Sequence, residues 1–277
     1  MNRKEQIILT LLLLWGTMLY SHKEKLPANA GPSAVTKQRS PILYQLDFED
    51  KDPLPSFLTK QTATDYALQI VDRPVYTGKK AARFELRDDD PETNNGTRSE
   101  ILFPGPDSKS SLERWYAFAV YFPKEGFDTD SSDEVISQWH QGGKATPSLC
   151  IRTKNNQLRL RINPRIKGKK VIEMGPVEKN KWQYYVIHVI HSAEPDGLVE
   201  IWRNGAPVVN YKGANMYELN SGDFHTPKWK LGIYKSAWNK SLPTNTHKRV
   251  LYLDDIKLGN ERASFADMGP DKTGPKP

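Results

Sequence analysis

The sequence predicts an all-β domain, a sandwich or barrel of antiparallel strands, over residues 41–259. Three observations predict it. Short runs of alternating apolar and polar residues recur along this stretch, separated by Gly, Pro, Asn and Asp, the pattern of half-buried strands and their turns. No apolar pattern keeps a helical period for more than about two turns. Asn204-Gly205 lies between two such runs and tolerates the positive φ of a tight hairpin.

The elements follow in order. In Ile42–Glu49, Ile42, Tyr44, Leu46 and Phe48 share one face. In Lys80–Arg87, Ala82, Phe84 and Leu86 alternate with Arg83, Glu85 and Arg87. Trp115–Phe122 is apolar on both faces, as a central strand covered on both sides would be. Gln157–Ile162 alternates Leu158, Leu160 and Ile162 with Arg159 and Arg161. Trp182–Ile190 is long and aromatic, and Leu198–Arg203 and Pro207–Tyr211 flank the hairpin pair. Lys228–Lys235 and Val250–Leu258 complete the set.

The chain's 277 residues suffice for one large β domain or two modest ones. With 37% hydrophobic and 10% aromatic residues it is not a disordered chain. No apolar run reaches the roughly 18–20 residues of a membrane span. The lone Cys150 excludes an internal disulfide framework and a Cys-rich zinc site. At the start, Arg3 and Lys4 precede the apolar run Ile7–Leu14, the pattern of a secretory leader. Residues 1–30 are therefore expected to be a signal peptide, 31–40 a linker and 260–277 a frayed polar tail, with the product secreted or periplasmic. The net charge of +7 becomes +5 once the leader's four basic and two acidic residues are gone. That balance favours an anionic partner without saying which.

Three segments carry chemistry: Arg98-Ser99-Glu100, Gln138-Trp139-His140 and Lys230-Leu231-Gly232-Ile233-Tyr234. In a strand, residues i and i+2 point the same way. Arg98 with Glu100, Gln138 with His140, and Lys230 with Gly232 and Tyr234 thus form same-face sets over an apolar opposite face. Gly232 is expected to let a ligand approach the backbone. The groups match β-elimination across a 4-linked uronic acid. Arg98 and Gln138 can offset charge developing on the carboxylate. A neutral His140 can take the C5 proton, and the phenol of Tyr234 can protonate the departing O4. Lys230 could bind a neighbouring carboxylate.

Taken in order, Arg-Ser-Glu, Gln-x-His and Lys-x-Gly-x-Tyr resemble the β-jelly-roll polysaccharide lyases. Arg114–Pro123, Gln138–Gln141 and Gly197–Gly205 resemble the heparin lyase I/glucuronan lyase branch more than the related alginate lyases. The similarity covers roughly residues 42–258. It implies a concanavalin-like β-jelly-roll sandwich of two antiparallel sheets. It also implies His140 as base and Tyr234 as acid, with Arg98, Gln138 and Lys230 binding the carboxylate and substrate. Some members let the tyrosine serve as both base and acid, with the histidine as carboxylate neutraliser. Glu100 and Asn94 are expected beside the substrate, Glu100 in a supporting role that orients Arg98. The basic stretch of Arg152, Arg159, Arg161, Arg165, Lys167, Lys169 and Lys170 is either a solvated edge or, through Arg159 and Arg161, a set of extra subsites.

The expected partner is an anionic polysaccharide, glucuronan-like first and alginate or heparin-type next. No nucleic acid is expected, no membrane after leader removal, and the chain is expected to be a monomer. The elimination needs no cofactor. Asp47 and Glu49 near the first strand and Asp254 in the last would suit a structural calcium. A competing function is a non-catalytic carbohydrate-binding module. A glycoside hydrolase is weaker, because only Glu100 offers a carboxylate on the motif strands.

Overall fold

Strands with one apolar face must bury it, and here two antiparallel sheets do so against each other. The computed structural model describes residues 40–270, except 108–109, 143–144, 165–167, 220–223 and 241. The expected leader, the linker through residue 39, and Arg165 and Lys167 lie outside the described residues.

In chain order the strands are β1 (Ile42–Leu46), β2 (Thr59–Gln61), β3 (Leu68–Val71), β4 (Ala81–Arg87) and β5 (Arg98–Leu102). Then come β6 (Glu113–Tyr121), β7 (Glu134–His140), β8 (Leu149–Lys154), β9 (Gln157–Ile162) and β10 (Lys170–Pro176). The last five are β11 (Trp182–Ile190), β12 (Leu198–Arg203), β13 (Ala206–Lys212), β14 (Lys228–Tyr234) and β15 (Lys248–Gly259). One sheet runs β13-β12-β11-β6-β15-β4-β3, with β1 also paired to β15; the other runs β10-β9-β8-β7-β14-β5-β2. This is the jelly-roll sandwich the sequence led us to expect. Strands β2, β3, β8 and β10 escape the sequence pattern. The first two span three and four residues, and β10 is an edge strand with little burial on either face.

Inner faces of both sheets interlock in one core. From the second sheet come Ile101, Trp139, Leu231 and Ile233, each fully buried. From the first come Phe84, Tyr116, Phe118 and Leu251. Tyr116 meets Trp139 edge-on at 5.2 Å and Trp229 at 4.9 Å, which ties the sheets together beneath the three motif strands. Asn204 and Gly205 have φ of 50° and 81° and join β12 to β13, as their tolerance for positive φ requires. A buried charge network lies behind β14. Lys235 Nζ is 3.0 Å from Asp130 and 3.1 Å from Glu134, and Arg249 also pairs with Glu134.

Of the tail expected to fray, residues 260–270 are packed on the sandwich, and residues 271–277 lie outside the described residues. Met268 is fully buried and Ala263 nearly so, both against the outer face of β6 and β11. The Tyr184 hydroxyl donates to the Met268 carbonyl at 2.8 Å, and Phe265 packs edge-on against Trp202 at 5.1 Å. The segment through Gly269 therefore covers the outer side of β6. That is why Trp115, Ala117 and Ala119 are as apolar as the inward residues of the same strand. Polar composition hid this role, because a few well-placed apolar side chains suffice to cap a sheet face. Met268→Ala should lower stability by about 2–5 kcal/mol in chemical denaturation. A frayed tail would show no change.

Candidate active site

The three motifs occupy adjacent strands, in the order β7-β14-β5. Register sets their side chains together: Tyr234 opposite Arg98, Gly232 opposite Glu100, Lys230 opposite Gln138 and Lys228 opposite His140. Paired residues of antiparallel strands share a face, so the seven side chains of these pairs stand on the side away from the core. Bulges in β7 and β14 lie within this patch. Gly232, at φ 133°, sits in the β14 bulge, and a Cβ there would stand 2.2 Å from the Ser99 carbonyl oxygen. Its glycine serves strand packing and the bulge rather than ligand approach, which corrects the sequence expectation.

Glu100 is the hub. Its carboxylate is almost wholly buried. One oxygen accepts from Arg98 Nη1 at 2.9 Å, and the other accepts from the Gln138 amide. Lys230 Nζ lies 4.0 Å from it and donates to Gln61 at 2.9 Å. Glu100 thus orients the binders, as expected for Arg98, and its burial keeps it from the direct substrate contact also expected of it. Two cations against one carboxylate leave the floor with net positive charge. Burial, with Arg98 and Lys228 nearby, pushes the Lys230 ammonium below its ordinary pKa.

Tyr234 is half-buried. Its hydroxyl accepts from Asn239 Nδ2 at 3.1 Å, and the Arg98 guanidinium lies 4.4 Å over its ring. Asn239 also accepts the Thr97 amide at 2.7 Å, so it links the turn before β5 to the phenol. Gly96 in that turn is packed tightly: a Cβ there would stand 2.7 Å from Tyr234 Cε2 and 2.9 Å from Asn239 Nδ2. Sequence reading missed Asn239, Gln61 and Gly96 as site residues. The only signal for Asn239 was its position five residues beyond the motif tyrosine.

His140 Nδ1 accepts the Gly142 amide at 2.9 Å. Burial first, then Lys230 and Arg98, pulls its pKa down to about 4. The imidazole is therefore neutral through most of the pH range, with its proton on Nε2. It offers an N–H rather than a free lone pair.

Arg98, Gln138, His140 and Tyr234 line one cavity of about 170 Å³ together with Arg152 and Arg161. His140 and Lys230 line a second of about 180 Å³ towards β2, with Gln61 and Lys228. Of the other expected binders, Arg159 is turned to Asp133 at 3.4 Å. Asn94 is exposed in the turn before β5, at φ 48°, and lines neither cavity.

The acidic residues marked for calcium are engaged by backbone donors. Glu49 accepts the amides of Lys79 and Lys80 at 2.6 and 2.8 Å. Asp254 accepts those of Tyr76, Thr77 and Asp255 at 2.7–3.0 Å, and Asp47 accepts that of Glu49 at 3.1 Å. Burial pushes Asp254 up to about 7. Among the described residues no three His, Cys, Asp or Glu side chains converge as a metal set.

Residues 47–257 match the family model described as Polysaccharide lyase. The fold is similar to that of the endo-β-1,4-glucuronan lyase from the fungus Trichoderma reesei, with TM-score 0.67 and 20% identity over 83% of this chain and 99% of that one. It is also similar to an alginate lyase from Aplysia kurodai, with TM-score 0.53 and 14% identity over 79% and 99%. The botulinum neurotoxin type G receptor-binding domain shares the architecture, with TM-score 0.50 and 14% identity over 83% and 50%. No curated protein matches the chain in sequence.

His140 should titrate near pH 4 when followed by NMR of its ring protons, and Lys230→Met should raise that value by removing a nearby positive charge. An unchanged midpoint in the variant would show that Lys230 does not act on the imidazole.

Proposed function

The chain belongs to the polysaccharide lyase family, and from that premise we propose that it cleaves a 4-linked, uronate-containing polysaccharide by β-elimination. The observation that carries this reading is the shared cavity of Arg98, Gln138, His140 and Tyr234. A glucuronan-like polymer is the first choice of substrate, ahead of alginate and heparin-type chains. The stretches flanking the motifs resemble that branch, and the floor's modest positive charge suits a single carboxylate better than dense sulfation. The basic start and apolar run of the leader point to a secreted or periplasmic enzyme.

In the proposed reaction, Arg98, the remaining Gln138 amide hydrogen and the Nε2–H of His140 stabilise charge growing on the uronate carboxylate. Tyr234, as phenolate, takes the C5 proton. The C5–H electron pair forms the C4=C5 double bond, C4–O4 breaks, and O4 receives the proton from the same phenol. Asn239, donating to the phenol oxygen, and Arg98, lying over the ring, hold Tyr234 in place. The alternative assignment, His140 as base, is weakened by the amide that already occupies Nδ1 and leaves the proton on Nε2. The product carries an unsaturated uronate at its new non-reducing end.

Incubation with polyglucuronate, alginate and heparin should raise ultraviolet absorbance on at least one; binding without any rise would instead indicate a carbohydrate-binding module. Tyr234→Phe should lose about 10²–10⁴-fold in turnover while remaining folded. His140→Gln, which keeps an N–H donor, should retain measurable activity. Equal loss in both variants, together with an acid limb near pH 4 in the wild-type profile, would assign the base to His140. Gly96→Ala should push the phenol and Asn239 out of place and cost up to about 100-fold in turnover.

A further inference from the structure

One guanidinium in the cavity lacks an acidic partner among the described residues. Nε and Nη2 of Arg161 are both buried and have no hydrogen-bond partner within the protein. The other cations lining the cavity are paired with acids, Arg98 with Glu100 and Arg152 with Asp133. Asp133 also takes Arg159, at 3.4 Å. No salt bridge among the described residues includes Arg161. Its position follows from register: Arg161 on β9 pairs with Cys150 on β8, which pairs with Gln138 on β7. Arg161 thus stands on the same face as Gln138 and two strands away, about 9.5 Å by strand spacing.

Nε–H and Nη2–H lie along one edge of a guanidinium and point in parallel, spaced for the two oxygens of a carboxylate. A hydroxyl would satisfy only one of them. We infer that Arg161 is a second carboxylate receptor, holding the uronate next to the one that is cleaved. The preferred substrate then carries consecutive uronates, and isolated uronates between neutral sugars are bound poorly. This inference rests on the lyase reading and narrows its substrate. The receptor lies on the β8–β9 side of the proposed cleavage site.

The test compares wild type, Arg161→Gln and Arg161→Lys on polyglucuronate and on the same polymer after partial reduction of its carboxylates to alcohols. Arg161→Gln should raise KM on the intact polymer about 10–100-fold with kcat little changed, the size of a lost hydrogen-bonded charge contact. Arg161→Lys, which keeps charge but not the paired donors, should fall between. Wild type should lose its advantage over Arg161→Gln on the reduced polymer. Unchanged KM in a folded Arg161→Gln would overturn the inference. So would a fall in kcat at constant KM, which would place Arg161 on the reacting ring. Calorimetric binding of polyglucuronate to Tyr234→Phe, with and without Arg161→Gln, separates this from the catalytic reading. A weakened affinity supports the receptor even if no polymer is cleaved, and equal affinities or no binding overturn it.

Discussion

A single buried carboxylate holds the site together. Glu100 has almost no contact with water, and an ionised group so placed is tolerable only when paired and hydrogen-bonded. Arg98 on its own strand, Gln138 two strands over and Lys230 between them supply those partners. The need to neutralise Glu100 thus fixes three functional side chains from three strands. Losing one partner of such a cluster typically costs about 3–5 kcal/mol, so the arrangement is rigid before any substrate arrives. Rigid placement of donors around a developing charge is the main thing a carboxylate-stabilising site requires.

The same cluster sets the electrostatics of its neighbours. Lys230 and Arg98 add to burial in keeping His140 neutral. The Arg98 guanidinium bridges two tasks, since it meets Glu100 on one edge and covers the Tyr234 ring with its face. Asn239 and the turn at Gly96 complete the support of the phenol from outside the sheet.

The sandwich alone would not reveal the chemistry. A toxin's receptor-binding domain is built on a similar architecture, and function is carried by side chains grafted on the outer face of one sheet. What the scaffold contributes is flatness and register. Six strands side by side provide a row of positions about one sugar apart, from Gln61 on β2 across to Arg161 on β9.

Local alternation was legible in the sequence because a strand's two faces follow a period of two and need no knowledge of distant residues. Hence the β class, the Asn204-Gly205 hairpin, the inward Trp139, Leu231 and Ile233, and the outward Arg98, Gln138, His140 and Tyr234 could all be read beforehand. Partnership could not. That Glu100 is a hub rather than a substrate contact, that Gly232 serves a bulge, and that Asn239 reaches Tyr234 depend on which strands pair and in what register. The segment around Met268 looked like a polar tail because only its docking on β6 shows which few of its side chains are buried. Arg159 and Arg161 stood together as candidate subsites in the basic run, and only the pairing of Arg159 with Asp133 set Arg161 apart. Side-chain direction is a local property of the backbone, whereas charge pairing and burial are long-range properties of the folded chain.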